Sequence, residues 1–489
     1  MVLEEDRYTE ESSLKDKLQY LVNNTLIFAI SSFGTKFLSF LLVPLYTSIL
    51  STADYGTIDI ATTTAIILIY VFTLSIQNSV LRFAMDRAGD RAAQRGILHF
   101  GFRIIFTGSA VLAVLLAVTC ATGIVGWSWE YYLFIFAYFF FTAIYETLMN
   151  YLRAIDQTKD VAAAGILSTL AIILGNIVLL LVVRAGVVGY AISLVLGPLV
   201  GTLYGVWRAG LLSRAETEAC PSPLKKEMLA YCSPLILNNL ALWINGFLSR
   251  YFVMALCGAA VNGLYAVSNK IPTILSTCYG VFSQAWTLSA IKDFDRDDDD
   301  AFFSSTYGVY QALIVLVCSG LILLNIPIAR LLFAKDFFDA WQYSSVLLIS
   351  VMFNALTSFQ GSIFAAVKDT KTTAKTTMIS AAVNVVLCIL LIPPLGALGA
   401  AIATAAAYIV MWAIRLAALK KYITMRIRFA RDLAVYALLV VQVLFERLGT
   451  YGYIGQVLAV LAIVLLNKEY MGMVVAKLRS VIGGKLRRD

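Results

Sequence analysis

Lys36, Arg82, Arg250 and Lys270 sit in stretches that otherwise read as membrane-spanning helix. A cation in hydrocarbon costs on the order of 3 kcal/mol even on insertion-based scales, so it normally faces a partner or a water-filled cavity. The four fall in two pairs of neighbouring apolar segments, one pair in each half of the chain. Cations placed in this way can bind an anion on its path across the bilayer, the chemistry of a transporter with an anion-binding central cavity.

The helices that carry them also carry polar stripes. Thr25, Ser32, Ser39 and Tyr46 recur every seven residues, and Lys36 projects from the same face. Asp59, Thr63, Tyr70, Thr73 and Gln77 follow helical spacing in the next segment. In the second half, Asn239, Gly246 and Arg250 align with Asn238, Asn245 and Ser249 beside them, and Lys270, Thr273, Thr277, Gly280 and Gln284 align likewise. Such stripes are expected to line a cleft rather than face lipid. The candidate substrate-binding residues are therefore Lys36, Arg82, Arg250, Lys270, Gln77 and Gln284. Each has a plainer reading. Lys36 could pair with Asp59, which is alternatively a coupling-ion site; Arg82, at a helix end, could be a topology anchor; Arg250 could snorkel outward. Pro272 could kink its helix, and Glu146 reads as interfacial.

Other chemistries have little support. The seven cysteines are scattered without a CxxC pair, which supports neither a disulfide framework nor a zinc site. His99 is the single histidine, so imidazole metal chemistry and a His-based triad are excluded. The acidic run 293–300 lacks the glycine and closing glutamate of an EF-hand and reads as a solvated loop. No cofactor or metal is expected, beyond a coupling cation, H+ or Na+.

These residues need a scaffold, and composition identifies it. The 489 residues are 60% hydrophobic and 14% charged, with a mean hydropathy of +0.81, where a soluble chain carries about 25% charged residues. Apolar windows of about 20 residues recur along almost the whole length, so the expected fold is an all-α polytopic membrane protein. The expected spans are 23–48, 55–79, 98–122, 130–151, 161–183, 186–207, 229–256, 261–288, 304–326, 340–366, 375–393, 396–418, 429–446 and 452–467, about 14 transmembrane helices. In the alternate loops, one side holds only Arg184, Arg330, Lys335 and Arg447 while the other holds about seven times as many basic residues. Both termini are accordingly expected in the cytoplasm. The basic excess behind the net charge of +8 is thus a topology signal, and no nucleic-acid partner is expected. The acidic first 20 residues do not read as a removable signal peptide, so the first apolar segment is expected to remain as an anchor. The basic segment before residue 429 is expected against anionic headgroups.

The halves resemble each other. Asp54-Tyr55-Gly56 aligns with Val261-Asn262-Gly263 at a shift of 207, residues 153–159 align with 365–371 at 212, and 185–192 with 395–402 at 210. Two repeated six-helix bundles plus two C-terminal helices follow, with parallel repeats. The expected divisions are a cytoplasmic tail 1–22, a first bundle 23–207, a linker 208–228 with Pro221 and Pro223, a second bundle 229–418, two additional helices in 419–467, and a basic tail 468–489.

Phe33–Lys36, Pro44–Thr47, Asp54–Gly56, Ser79–Phe83, Ser249–Phe252 and Gly263–Pro272 together make the chain resemble the bacterial Wzx-type polysaccharide flippases of the multidrug/oligosaccharidyl-lipid/polysaccharide exporter superfamily. The resemblance covers essentially the whole chain. It implies a two-lobed, non-enzymatic exporter in the bacterial cytoplasmic membrane, moving an undecaprenyl-pyrophosphate-linked oligosaccharide by alternating access through a cationic cavity. It further implies a place beside polysaccharide polymerase and glycosyltransferases. The corresponding positions are Lys36, Arg82, Arg250 and Lys270. One departure is Ser249, where the family often has an acid before the seventh-helix arginine. A drug/cation antiporter of the same superfamily is the alternative, but it needs acids in the cavity, and the stripes offer chiefly Asp59. A polymerase or ligase would need a sizeable outer loop or clustered catalytic groups, and a structural membrane protein would leave the charged stripes unexplained.

Overall fold

The computed structural model describes residue 34 and residues 40–211, 218–292, 294 and 302–473. Among them every regular element is helical. The first half comprises α1 (Val43–Ile49), α2 (Thr52–Phe72), α3 (Ile76–Met85), α4 (Arg91–Thr122), α5 (Trp129–Ala154), α6 (Thr158–Asn176, continued by a π-helical turn Ile177–Val182) and α7 (Gly186–Arg208). The second comprises α8 (Ser222–Cys257), α9 (Ala259–Ser268), α10 (Lys270–Lys292), α11 (Phe302–Leu323), α12 (Asn325–Leu332), α13 (Trp341–Ala366), α14 (Thr370–Leu395) and α15 (Ala397–Leu419). Two more helices follow, α16 (Phe429–Glu446) and α17 (Gly449–Leu466).

Ten of these helices are long and apolar enough to cross a membrane, so the chain is an all-α polytopic membrane protein. The other expected spans differ for identifiable reasons. The first, 23–48, lies mostly outside the described residues. The eighth is divided at Asn269, α16 carries Arg431, Asp432 and Glu446, and the apolar part of the last is only Tyr451–Leu466.

The division at Asn269 follows from Pro272, which has no N–H for the Ser268 carbonyl one turn back. The buried Ser344 hydroxyl donates to that carbonyl at 3.0 Å, and the Asn269 amide donates to the Tyr265 carbonyl at 2.8 Å. In membrane helices such side-chain donors re-satisfy backbone groups that a proline has freed. The expected second span, 55–79, is also interrupted. Leu74 and Ser75 both adopt φ of 54°, and the Thr73 hydroxyl bonds back to the Ile69 carbonyl at 2.6 Å. Gln77 therefore lies on α3, not on the helix of Asp59.

The chain forms two compact units, one of Met1–Leu50 with Ile58–Leu240, the other of Ser51–Thr57 with Ala241–Asp489. The division falls within α8 rather than in the 208–228 segment. In unit 1, the near half of α8 accepts from Ser79 at the Met228 carbonyl (3.4 Å) and donates from Asn239 to the Ser75 hydroxyl (3.2 Å). In unit 2, its far half donates from Asn245 to the Thr377 carbonyl (3.1 Å).

The three sequence alignments reappear as geometry. In unit 2, a Cβ on Gly56 would lie 2.0 Å from the Ala259 carbonyl oxygen, and one on Gly263 would lie 1.9 Å from that of Thr52. The contact is reciprocal under the 207-residue shift. Asp156 and Lys368, paired by the 212 shift, have φ of 61° and 59° after α5 and α13. The following amides close the same six-residue C-terminal loop, Gln157 to the Leu152 carbonyl (2.8 Å) and Asp369 to that of Phe364 (2.9 Å). Gly186 and Gly396, paired by the 210 shift, have φ of 54° and 59° where α7 and α15 begin.

Asp369 then caps α14, accepting the Thr372 N–H at 3.0 Å, with the Tyr422 hydroxyl on its other oxygen at 2.8 Å. The Thr372 hydrogen bonds, and after them that of Tyr422, hold its carboxyl below the usual range. The sign follows: this contribution is present above the ordinary carboxylate pKa and fades as pH falls through the lowered one.

The glycine contact generates a direct prediction. Gly56→Ala or Gly263→Ala forces two backbones apart, costing about 1–3 kcal/mol or more. Thermal melting of purified protein should show a clear loss for either, whereas Gly320→Ala, whose Cβ meets no described atom within 4 Å, should melt as the parent does.

Candidate functional site

The described candidates sit on four helices, and each unit is taken separately. In unit 1, Asp59 is half-buried on α2, and its carbonyl accepts the Thr63 hydroxyl at 2.6 Å. Gln77 is 4% exposed in a polar knot at the α2–α3 break. Its Oε1 accepts the Thr73 hydroxyl at 3.2 Å, and its carbonyl accepts the Asn150 amide at 3.0 Å. Arg82, in the last turn of α3, is 59% exposed and pairs with Asp86 one turn on at 3.3 Å. The helix macrodipole favours a cation at that end. Lys36 lies outside the described residues, so its expected pairing with Asp59 does too.

In unit 2, Arg250 is half-buried on α8, with its guanidinium 5.1 Å from the Phe247 ring centroid. That distance suits a cation–π contact. One turn back, a Cβ on Gly246 would meet no described atom within 4 Å, so this face of α8 is open. The adjacent face is closed. Ser249, 4% exposed, donates to Asn384 Oδ1 at 3.1 Å and lies 3.2 Å from the Thr404 hydroxyl, while the Cys388 thiol donates to Asn384 at 3.1 Å. Asn245 is buried against α14. The expected stripe on this helix therefore splits into an open edge with Gly246 and Arg250 and a buried edge that pins α8 to α14 and α15.

Lys270 opens α10 immediately after the Asn269 break and is half-buried. Below it Thr273 is exposed and Gly280 faces open space, whereas Thr277 is 5% exposed, its hydroxyl turned back to the Thr273 carbonyl at 2.8 Å. The side chain of Gln284 lies outside the described residues.

One intramembrane cation was missed. Arg415, not among the candidates read from the sequence, is on α15 and 5% exposed. Its Nε donates to Thr376 Oγ1 (3.0 Å), its Nη1 to the Thr357 carbonyl (2.8 Å), and its Nη2 to Thr377 Oγ1 (3.1 Å) and the Thr373 carbonyl (3.4 Å). The signal was present, since Arg415 falls within the apolar run 396–418. Among the described residues no group of three or more His, Cys, Asp or Glu side chains could hold a metal ion.

A family model described as "Polysaccharide biosynthesis protein" matches residues 21–288. No curated protein matches the chain by sequence. Among solved structures, the chain is similar to the lipid II flippase MurJ in an inward closed conformation, at 15% identity and a TM-score of 0.62, covering 93% of this chain and 99% of that one. It is also similar to an inward-facing multidrug resistance MATE family transporter of the MOP superfamily, at 14% identity and a TM-score of 0.64, over 80% and 99% of the two chains. A third is a MOP superfamily transporter from Pyrococcus furiosus with a binding pocket of reverse polarity, at 14% identity and a TM-score of 0.53, over 82% and 96%. At these identities the likeness is one of fold.

The buried and open edges of the stripes separate by stability. Ser249→Ala removes a hydroxyl shared by α8, α14 and α15 and should cost roughly 1 kcal/mol, the scale of interhelical hydrogen bonds in membranes. Arg82→Gln breaks only an exposed pair and should change stability by less than about 0.5 kcal/mol. Melting temperatures in one detergent check both.

Proposed function

Because the chain belongs to the polysaccharide biosynthesis protein family, whose model spans residues 21–288 of its 489, we propose that it is a flippase that translocates an undecaprenyl-pyrophosphate-linked oligosaccharide across the bacterial cytoplasmic membrane by alternating access. The observation that carries the reading is Arg250, a half-buried cation inside a membrane-spanning helix, one turn from the open surface at Gly246. A pyrophosphate diester is a dianion near neutral pH and must pass a region that solvates ions poorly. In a low-dielectric cavity, Coulomb attraction to a fixed cation is several times that in bulk water and offsets the desolvation. The planar guanidinium adds a two-pronged hydrogen-bonding fork for phosphate oxygens.

Lys36, Arg82 and Lys270 contribute further positive charge, and the amides of Gln77 and Gln284 suit sugar hydroxyls. Asp59 is the candidate for coupling to H+ or Na+. The work is translocation, with no covalent step, and it places the protein, both termini cytoplasmic, between glycosyltransferases that build the glycan and a polymerase that extends it. The polyprenyl tail remains in lipid.

Arg250→Gln should abolish export at nearly unchanged protein abundance, and Arg250→Lys should retain part of it, because a point charge keeps the attraction but not the fork. The readout is surface polysaccharide restored in a flippase-deficient host that makes the cognate glycan. Normal export by a variant with Gln at both Lys36 and Arg250 would sink the cationic-cavity mechanism. Drug efflux that depends on Asp59 but on none of the bases would favour the antiporter.

A further inference from the structure

Two cavities adjoin in unit 2 where α15, α16 and the start of α11 come together. One, of about 500 Å³, is lined by Ser304, Ser305, Arg426, Arg428 and Glu469, among others. The other, of about 470 Å³, is a largely apolar groove that includes Trp412, Leu416, Met425 and Phe429, with Lys420 at its edge. Ile427 lines both, so the basic cavity opens beside the apolar groove.

We propose that this pair of cavities binds an anionic phospholipid, its phosphodiester headgroup between Arg426 and Arg428 and an acyl chain along Trp412, Leu416 and Phe429. The charges favour an anion. Arg426 has no ion pair among the described residues, and its backbone N–H donates to the Ser304 hydroxyl at 2.9 Å, which ties it to the start of α11. Arg428 pairs with Glu469, but both side chains are more than half exposed, and an exposed pair is weak enough for a phosphate to replace. Arg431, deeper in, is already engaged by Asp432 and lies over the Tyr470 ring at 4.4 Å, so it does not compete for the ligand. The Ser305 hydroxyl also lines the basic cavity, and the first turn of α16 has no side-chain cap.

The groove decides which anion. Free phosphate would use the basic cavity alone, whereas a phospholipid uses both adjoining cavities. The exposed Phe302, Phe429 and Leu433 give them an apolar rim. Residues 420–428, which hold Lys420, Lys421, Arg426 and Arg428, join α15 to α16. A lipid bridging this connector to α11 would fasten the C-terminal helix pair to the body of unit 2, independently of the substrate path.

The test uses the full chain in detergent, with binding followed by native mass spectrometry and by thermal melting. Phosphatidylglycerol should bind and raise the melting temperature, while phosphatidylcholine and inorganic phosphate should not. Near a membrane surface each basic residue is worth about 1 kcal/mol, so Arg426→Gln with Arg428→Gln should weaken phosphatidylglycerol binding by roughly 25-fold. The double Lys variant should retain most of it, which separates charge from a folding defect. Leu416→Trp, filling the groove, should weaken binding with the arginines intact. Equal shifts from phosphatidylcholine, full binding by the double Gln variant, or full binding by Leu416→Trp would each overturn the site as proposed. A matching shift from inorganic phosphate would show a free-anion site instead.

Discussion

Lipid tails are as apolar as leucine, so burying apolar side chains against one another does little to hold helices together in a bilayer. Association rests on close packing and on hydrogen bonds between helices, which favours small residues where backbones meet. The Gly56–Gly263 contact is the plainest case, with each glycine facing the carbonyl of the opposite helix. The same constraint appears at Gly108 against the Phe72 carbonyl, and at Gly399, where α15 folds back on the end of α14. A duplicated chain is freest to change where side chains face lipid and least free where backbones touch. It is therefore reasonable that a shift of 207 residues still carries one side of this contact onto the other.

The second constraint is that backbone polar groups have no water to turn to. Both helix breaks in the stripe-bearing segments satisfy it with side chains. At the first, the Cys232 thiol donates to the Ser75 carbonyl and the Asn150 amide to the Gln77 carbonyl; at the second, Ser344 takes the carbonyl that Pro272 leaves open. These breaks also place the charges. Arg82 ends the short helix that follows the first break, and Lys270 begins the helix that follows the second. A continuous helix through either point would set the cation at another depth and on another face.

Helix positions and the repeat were legible in the sequence because apolar run length and turn chemistry are local properties. The left-handed residues at 156 and 368 show this well, since both sit in the short hydrophilic corners that the alignment had paired. The breaks were less legible. Nothing in the apolar pattern around Leu74 and Ser75 signals positive φ, and it is the distant Asn239 that supports the turn. The polar stripes were half legible. Spacing placed Asn245, Gly246, Ser249 and Arg250 on one side of a helix. Which part of that side meets α14 and α15 is a tertiary property that spacing does not contain.

Arg415 and Arg250 show why the presence of a cation within a span does not by itself mark a substrate path. Arg415 directs all three guanidinium nitrogens to threonine oxygens on two neighbouring helices and is almost fully enclosed. Its desolvation is offset by those fixed partners, and an incoming anion would have to displace them. It therefore acts as a brace between α13, α14 and α15. Arg250 is half-buried, lies over an aromatic ring and adjoins the open edge of α8 at Gly246. The two cations thus differ in their surroundings: Arg415 is enclosed by threonine oxygens on two neighbouring helices, whereas Arg250 adjoins an open edge, and a cation's presence within a span does not tell these two settings apart.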